Sequence, residues 1–135
     1  MADTTFHLEI ITPEKVLVTD DVDSLEAPGT AGEFQILAEH TPFLTDLGIG
    51  AITYVKGGKK QFISISGGFC EVQPKKTLIL AHTAESSGKI DVDRATEAQK
   101  RARERLESNR PDIDLARAQA ALDRAVNRLN VSKME

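Results

Sequence analysis

The stretch "TLILAHTAESSGKIDVDRATEAQKRARERL", residues 77–106, contains the change of period on which the fold turns. Its opening "TLILAH" is a short run of β-branched and aliphatic residues and reads as a strand. From Asp91 onward Ala95, Ala98, Ala102 and Leu106 recur at steps of three and four, the signature of a helix with one apolar stripe. Between them "ESSGK", residues 85–89, is small and polar and reads as a flexible linker.

Toward the N-terminus the period is two. Phe6, Leu8 and Ile10 alternate with His7, Glu9 and Ile11, as in a half-buried strand. "KVLVTD", "DSLEAP", "EFQILAE", "AITYVK", "QFISIS" and "FCEVQ" are further short runs of this kind. Val55-Lys56-Gly57-Gly58-Lys59 predicts a hairpin whose two central glycines take positive φ, and Gln73-Pro74-Lys75-Lys76 predicts another. Many short strands without helices between them predict an antiparallel sandwich or barrel over residues 1–84.

Toward the C-terminus a second stripe, Leu115, Ala118, Leu122, Ala125 and Leu129, follows the first. "SNRPD", residues 108–112, separates the two. It offers Asn109, then Arg110 as a pre-proline position held out of the α region, Pro111, and Asp112 as N-cap. The expectation is an α+β chain: the sandwich at 1–84, a linker at 85–90, and an antiparallel two-helix hairpin at 91–135.

Charge is distributed unevenly. Residues 1–89 carry seven lysines, no arginine and twelve acids, a net of −5, whereas residues 90–135 carry eight arginines, two lysines and nine acids, a net of +1. An acidic body and arginines interleaved with Glu97, Glu104, Glu107 and Asp123 argue against nucleic acid as a partner. "MADTTFHLEIITPE" lacks the basic and apolar regions of a signal peptide, and no apolar run approaches the roughly 20 residues of a membrane span. Membrane contact is therefore expected only through another protein.

Alanine lets helices approach closely but buries little surface, at roughly 0.8 kcal/mol per CH₂, while ordering the tail costs entropy of comparable size. Intrinsic helix propensity is high. The helices should persist while their packing stays marginal, which suits a part that moves. A static bracing hairpin fits the same pattern.

Catalytic chemistry finds little support. Cys70 and His82 form the one thiol–imidazole combination within reach of a hairpin, and no third group orients them. His7, His40 and His82 lack metal-ligand spacing, no Walker-type glycine loop occurs, and "SGGF", residues 66–69, reads as a bulge or tight bend. Neither catalytic nor metal-binding residues are assigned. The loop "APGTAGEFQILAEHTPFLTDLGIG", residues 27–50, is read as an irregular contact surface presenting Glu33, Glu39, His40 and Asp46. Phe34, Phe43, Leu44 and Leu47 within it are core or interface residues.

"PGTAGEFQILAEHTPFLT" and "ISGGFCEVQ", with a hairpin opening on "IDVDRA", closely resemble the epsilon-subunit family of F-type ATP synthases, in its bacterial or plastid form. The resemblance spans essentially the whole chain. It implies a ten-stranded sandwich and two helices on the rotor, with the sandwich bound to the gamma subunit and seated on the ring of c subunits. Ring contacts carry over to the segment 29–46, with Glu33, His40 and Asp46 as the residues. The chain departs from the family at Ala38-Glu39, where Pro-Gly is frequent.

The resemblance also implies a non-catalytic regulatory subunit on the cytoplasmic or stromal face of a plasma or thylakoid membrane. Its hairpin extends to the alpha and beta subunits and suppresses ATP hydrolysis. Arg103, Arg105, Arg117, Arg124 and Arg128 are the expected partner contacts; each also has acids at helical spacing, for intrahelical pairs worth ~0.5 kcal/mol. No cofactor is implied beyond ATP as a regulatory ligand. Some members bind it at positions matching Glu85, Ile90, Asp91, Arg94, Ala95, Arg124 and Arg128. A free-standing nucleotide-sensing sandwich is the alternative reading.

Overall fold

The computed structural model describes residues 4–108 and 110–134; Asn109, part of the expected inter-helix break, lies outside them. The strands are β1 (Phe6–Ile11), β2 (Val16–Val22), β3 (Ser24–Gly29), β4 (Gly32–Leu37), β5 (Phe43–Lys56), β6 (Lys59–Val72), β7 (Lys76–Ala81) and β8 (Ala84–Ser86). A 3-10 turn (Ser87–Lys89) leads to α1 (Val92–Glu107) and α2 (Leu115–Ser132). The strand order is β2-β1-β7-β6-β5-β3-β4, with β8 paired to β6.

The sheet folds over on itself. Leu8 and Ile10 of β1, Ile79 of β7, Leu25 of β3 and Ile36 of β4, each 0–1% exposed, share one core with Ile52 and Ile63. Strands from opposite ends of the order can share a core only if the sheet closes into two layers. The two 14-residue strands make this closure. Residues Gly68–Val72 of β6 pair with β7, whereas Ile63–Ile65 pair with β8. The change of partner falls at Gly67 and Gly68, with φ of 102° and 152°, the bend that "SGGF" signals.

Three expectations are corrected. There are eight strands among the described residues rather than about ten: β6 runs unbroken through "QFISIS" and "FCEVQ", and β5 extends "AITYVK" back to Phe43. Much of residues 27–50 is β3, β4 and the start of β5 rather than irregular loop. And the sheet is not wholly antiparallel: β1 and β7 pair parallel, from His7↔Lys76 to Ile11↔Leu80. These strands are far apart in the chain, so no tight turn constrains their direction. The two hairpins form as expected, with Gly57 and Gly58 at φ of 57° and 80°, and Gln73 N–H donating to Lys76 O at 2.8 Å.

The linker is also more ordered than its composition suggests. Glu85 and Ser86 belong to β8, paired with Ser64 and Ile63. Asp91 caps α1 by accepting from Arg94 N–H at 3.0 Å. The cap of α2 is Asp114, which accepts from Arg117 N–H at 3.1 Å, and not Asp112. Asp112 instead takes the Arg110 guanidinium at 3.1 Å within a turn that precedes the helix. Ala95, Ala102, Ala118 and Ala125, at most 3% exposed, form the close seam of the hairpin. The hairpin meets the sandwich chiefly where α2 crosses β5 and β6.

Cys70 lies in the core, paired across to Ile79, with burial pushing its thiol up to about 12. His82 is three residues past Ile79 and exposed, its N–H donating to Gly67 O at 3.0 Å. The thiol–imidazole pair does not form.

Two outcomes follow. In Gly68→Ala the new Cβ would lie within contact distance of the Leu80 carbonyl and 2.8 Å from Ala81 Cα, at a φ that L-residues rarely adopt. Urea denaturation is expected to show a loss of about 3 kcal/mol, with no loss beyond 1 kcal/mol counting against the bend. Iodoacetamide at pH 8 should label Cys70 only as fast as the protein unfolds. Because the folded thiol holds its proton more tightly, stability falls as pH rises from 9 toward about 12.

Candidate functional site

The polar residues converge where the hairpin lies on the sheet. A cavity of about 290 Å³ opens there, lined by Ser64, Ile65 and Ser66 of β6, Thr83, Glu85, Ala98 of α1, and Ala121, Arg124, Ala125 and Arg128 of α2. The wall is alanine because the helices approach too closely for larger side chains. The polar rim comes from the sheet side and from two arginines one helical turn apart.

Arg128 is held by Glu85. Nε donates to Oε1 at 2.6 Å and Nη2 to Oε2 at 3.1 Å, a two-pronged pair between α2 and β8. The Arg128 side chain is 24% exposed, so the pair is less screened than a surface one. Arg124 faces the same cavity and makes no ion pair among the described residues. Ser66 Oγ and Thr83 Oγ1 share a hydrogen bond of 2.6 Å on the rim. An unpaired guanidinium beside a paired one, with hydroxyls opposite, is chemistry for an anionic, hydroxyl-bearing ligand.

Of the seven residues carried over for ATP, the structure brings Glu85, Arg124 and Arg128 to this cavity. Ile90 and Ala95 are buried, Asp91 is occupied in capping, and Arg94 is exposed and does not line it. Sequence reasoning missed Ser64, Ser66, Thr83 and Asn127. Asn127 of α2 donates from Nδ2 to Gly50 O at 2.8 Å and to Ser64 Oγ at 3.1 Å. The alternating serines of "FISIS" were the available signal, since serine on a strand face reads as solvent-facing until a helix covers it.

Arg103, Arg105 and Arg117 are exposed, and the intrahelical pairs expected for them are absent among the described residues. Ordering two long exposed side chains costs about what the screened attraction returns.

A second surface lies on the outward face of β2, β1, β7 and β6. Val16 pairs with Ile11, Ile11 with Leu80, and Leu80 with Phe69, so the four form one row on the sheet. Val16, Leu80 and Phe69 are 57%, 46% and 37% exposed, and Leu44 of β5 is 61% exposed. A shallow hollow of about 560 Å³ runs past Ile11, Pro13, Phe69, Leu80 and His82. Asp46 pairs across to Phe69 and lies at the edge of this row.

Glu33 is exposed on β4, opposite Pro28 beside the Gly29–Gly32 turn. His40 is half-buried in the connection between β4 and β5, its Nδ1 donating to Thr41 O at 2.7 Å and its ring tilted on Phe43 at 5.4 Å. Phe43 meets Phe34 edge-to-face at 5.2 Å, and Leu47 is core. Glu39 has φ of 61°, a conformation that glycine adopts without strain, so the loop keeps its glycine-type geometry despite the departure at Ala38-Glu39.

The chain matches the family model described as ATP synthase, Delta/Epsilon chain, beta-sandwich domain over residues 5–87. It matches the model described as ATP synthase, Delta/Epsilon chain, long alpha-helix domain over residues 89–133. It is 46% identical over 127 residues to the ATP synthase epsilon chain of Nitratidesulfovibrio vulgaris, covering 94% of this chain and 95% of that one. Identity to the epsilon chain of Desulforamulus reducens is 43% over 129 residues, covering 96% and 98%. Among solved structures it superposes on a chain of the Euglena gracilis mitochondrial ATP synthase, OSCP/F1/c-ring assembly, with a TM-score of 0.80 at 23% identity, covering 91% and 78%. A chain of the Tetrahymena thermophila central stalk/c-ring assembly gives 0.61 at 13% identity, covering 98% and 96%. With both halves matched in order and the curated relatives matched nearly end to end, the chain belongs to the ATP synthase delta/epsilon family, as an epsilon chain.

Proposed function

We propose that this epsilon chain is a non-catalytic rotor subunit of a proton-translocating F-type ATP synthase. It couples proton flow to ATP synthesis and restrains ATP hydrolysis through a hairpin that leaves the sandwich. The observation that carries the reading is the attachment of the hairpin through one face of α2: its alanines with Leu122 and Val126, and a few polar contacts across β5, β6 and β8. Two states separated by a few kcal/mol suit such a joint.

In this reading the apolar row Val16, Ile11, Leu80 and Phe69 docks on the gamma subunit, since an exposed apolar patch of this kind favours a protein partner. Glu33 and His40 face the polar loops of the c-ring. Asp46 borders both surfaces. Arg103, Arg105 and Arg117, which make no ion pair among the described residues, meet carboxylates of the alpha and beta subunits when the hairpin extends. No helix among the described residues is long and apolar enough to cross a membrane. Association with the cytoplasmic or stromal side of a plasma or thylakoid membrane then runs through the complex.

The cavity at Glu85, Arg124 and Arg128 is proposed to take ATP as a regulatory ligand, its phosphates on Arg124. Occupancy would favour the docked hairpin by RT ln(1 + [ATP]/Kd), so only a Kd at or below the working ATP concentration matters.

Reconstitution with the catalytic complex tests the rotor reading. Deleting residues 88–135 should raise ATP hydrolysis several-fold, and Leu80→Glu should abolish co-purification with gamma. An unchanged rate together with retained binding would refute it, and a wild-type chain that never co-purifies with gamma would favour a free-standing module. Isothermal titration of the isolated chain should detect ATP, with affinity falling about tenfold or more in Arg124→Ala. Equal affinity in the two would remove ATP from this cavity.

A further inference from the structure

The docked hairpin is fastened at two consecutive residues of α2. Arg128 holds Glu85 of β8, and the neighbouring Asn127 reaches β5 and β6. Asn127 Nδ2 donates to Gly50 O at 2.8 Å and Ser64 Oγ at 3.1 Å, with Ile65 O at 3.5 Å. Two of these acceptors are backbone carbonyls, which fixes the orientation of the amide: its NH₂, not its oxygen, faces the sheet. Gly50 and Ile65 are cross-strand partners, so one side chain bridges both long strands.

We propose that Asn127 and Arg128 form a latch, and that Asn127 is the residue setting how long the hairpin stays docked. This deepens the reading of the hairpin as a detachable regulator and rests on it. The rest of the α2 contact is apolar, Ala121 and Ala125 over β6 and Leu122 and Val126 beside Ile49 of β5, and supplies proximity without direction. The bond to Ser64, buried at 5% exposure, specifies a single position of the helix on the sheet. Its groups are also readily taken up by water once the helix lifts, so the latch is directional and reversible. α1 packs on α2 through the alanine seam and would follow it.

The substitution that discriminates is Asn127→Asp, which turns a donor into a carboxylate facing two carbonyls and a hydroxyl. Asn130→Asp, three residues on at an exposed position, makes the same charge change without these contacts and is the control. Amide hydrogen exchange is measured on the full chain. Asn127→Asp is expected to speed exchange across residues 92–131 as one unit, by about a hundredfold, and Asn127→Ala by about tenfold. Strands β5 to β7 should keep their protection, which shows that the sandwich remains folded.

The latch is overturned if Asn127→Asp matches Asn130→Asp, or if the faster exchange is confined to the turn around residue 127. The same variants in the reconstituted enzyme separate the two claims. Asn127→Asp should deepen inhibition of hydrolysis. If exchange responds as expected while hydrolysis does not, the latch stands and the inhibitory role of the hairpin is the claim that fails.

Discussion

The bend in β6 at Gly67 and Gly68 is the constraint on which the rest of the molecule depends. Gly68 lies so close to the Leu80 carbonyl that no Cβ fits, and this approach lets one strand pass from the layer containing β7 to the layer containing β8. Because β5 follows β6 in register around the turn, the two strands carry both layers and enclose a single aliphatic core. Without the bend Ser64 and Ile65 would not lie beside Gly50 on a surface that a helix can cover, and Phe69 would not align with Leu80 on the opposite layer. The hairpin site and the outward apolar row are consequences of one change of direction.

The two faces then differ in how they hold a partner. The outward row of Val16, Ile11, Leu80 and Phe69 is flat, apolar and continuous, a surface suited to persistent contact with another chain. The surface beneath α2 is built from a buried serine, backbone carbonyls and a carboxylate against alanine and two directional side chains. The polar groups there are exchangeable with water, so the contact is specific in geometry and reversible. A lasting attachment on one side and a releasable one on the other is the arrangement that the proposed rotor-mounted regulator needs.

Much of the fold was legible because it rests on local rules. The alternation in "FHLEI", the Gly-Gly hairpin and the alanine stripes each encode an element through backbone conformation and side-chain period. Continuity was less legible. "AITYVK" and "QFISIS" read as short separate strands, whereas β5 continues through Gly48 and β6 through the bend that "SGGF" signals, since a glycine can turn a strand without ending it. The cap of α2 moved from Asp112 to Asp114 since both satisfy the same local rule and Arg110 claims the first. For the candidate site, Arg124 and Arg128 were marked by spacing and resemblance, whereas Asn127 was one polar residue among many on an amphipathic helix.

By itself the sequence determined the elements, the place where period two gives way to period 3.6, and the family to which the motifs point, because these are properties of neighbouring residues. Only the tertiary structure decided that β1 runs parallel to β7, that Glu85 meets Arg128, and that Asn127 bridges Gly50 and Ser64. Those contacts join residues separated by 43 to 77 positions. No local periodicity encodes them; they exist because a folded sheet and a docked helix bring remote backbone and side-chain groups within hydrogen-bonding distance.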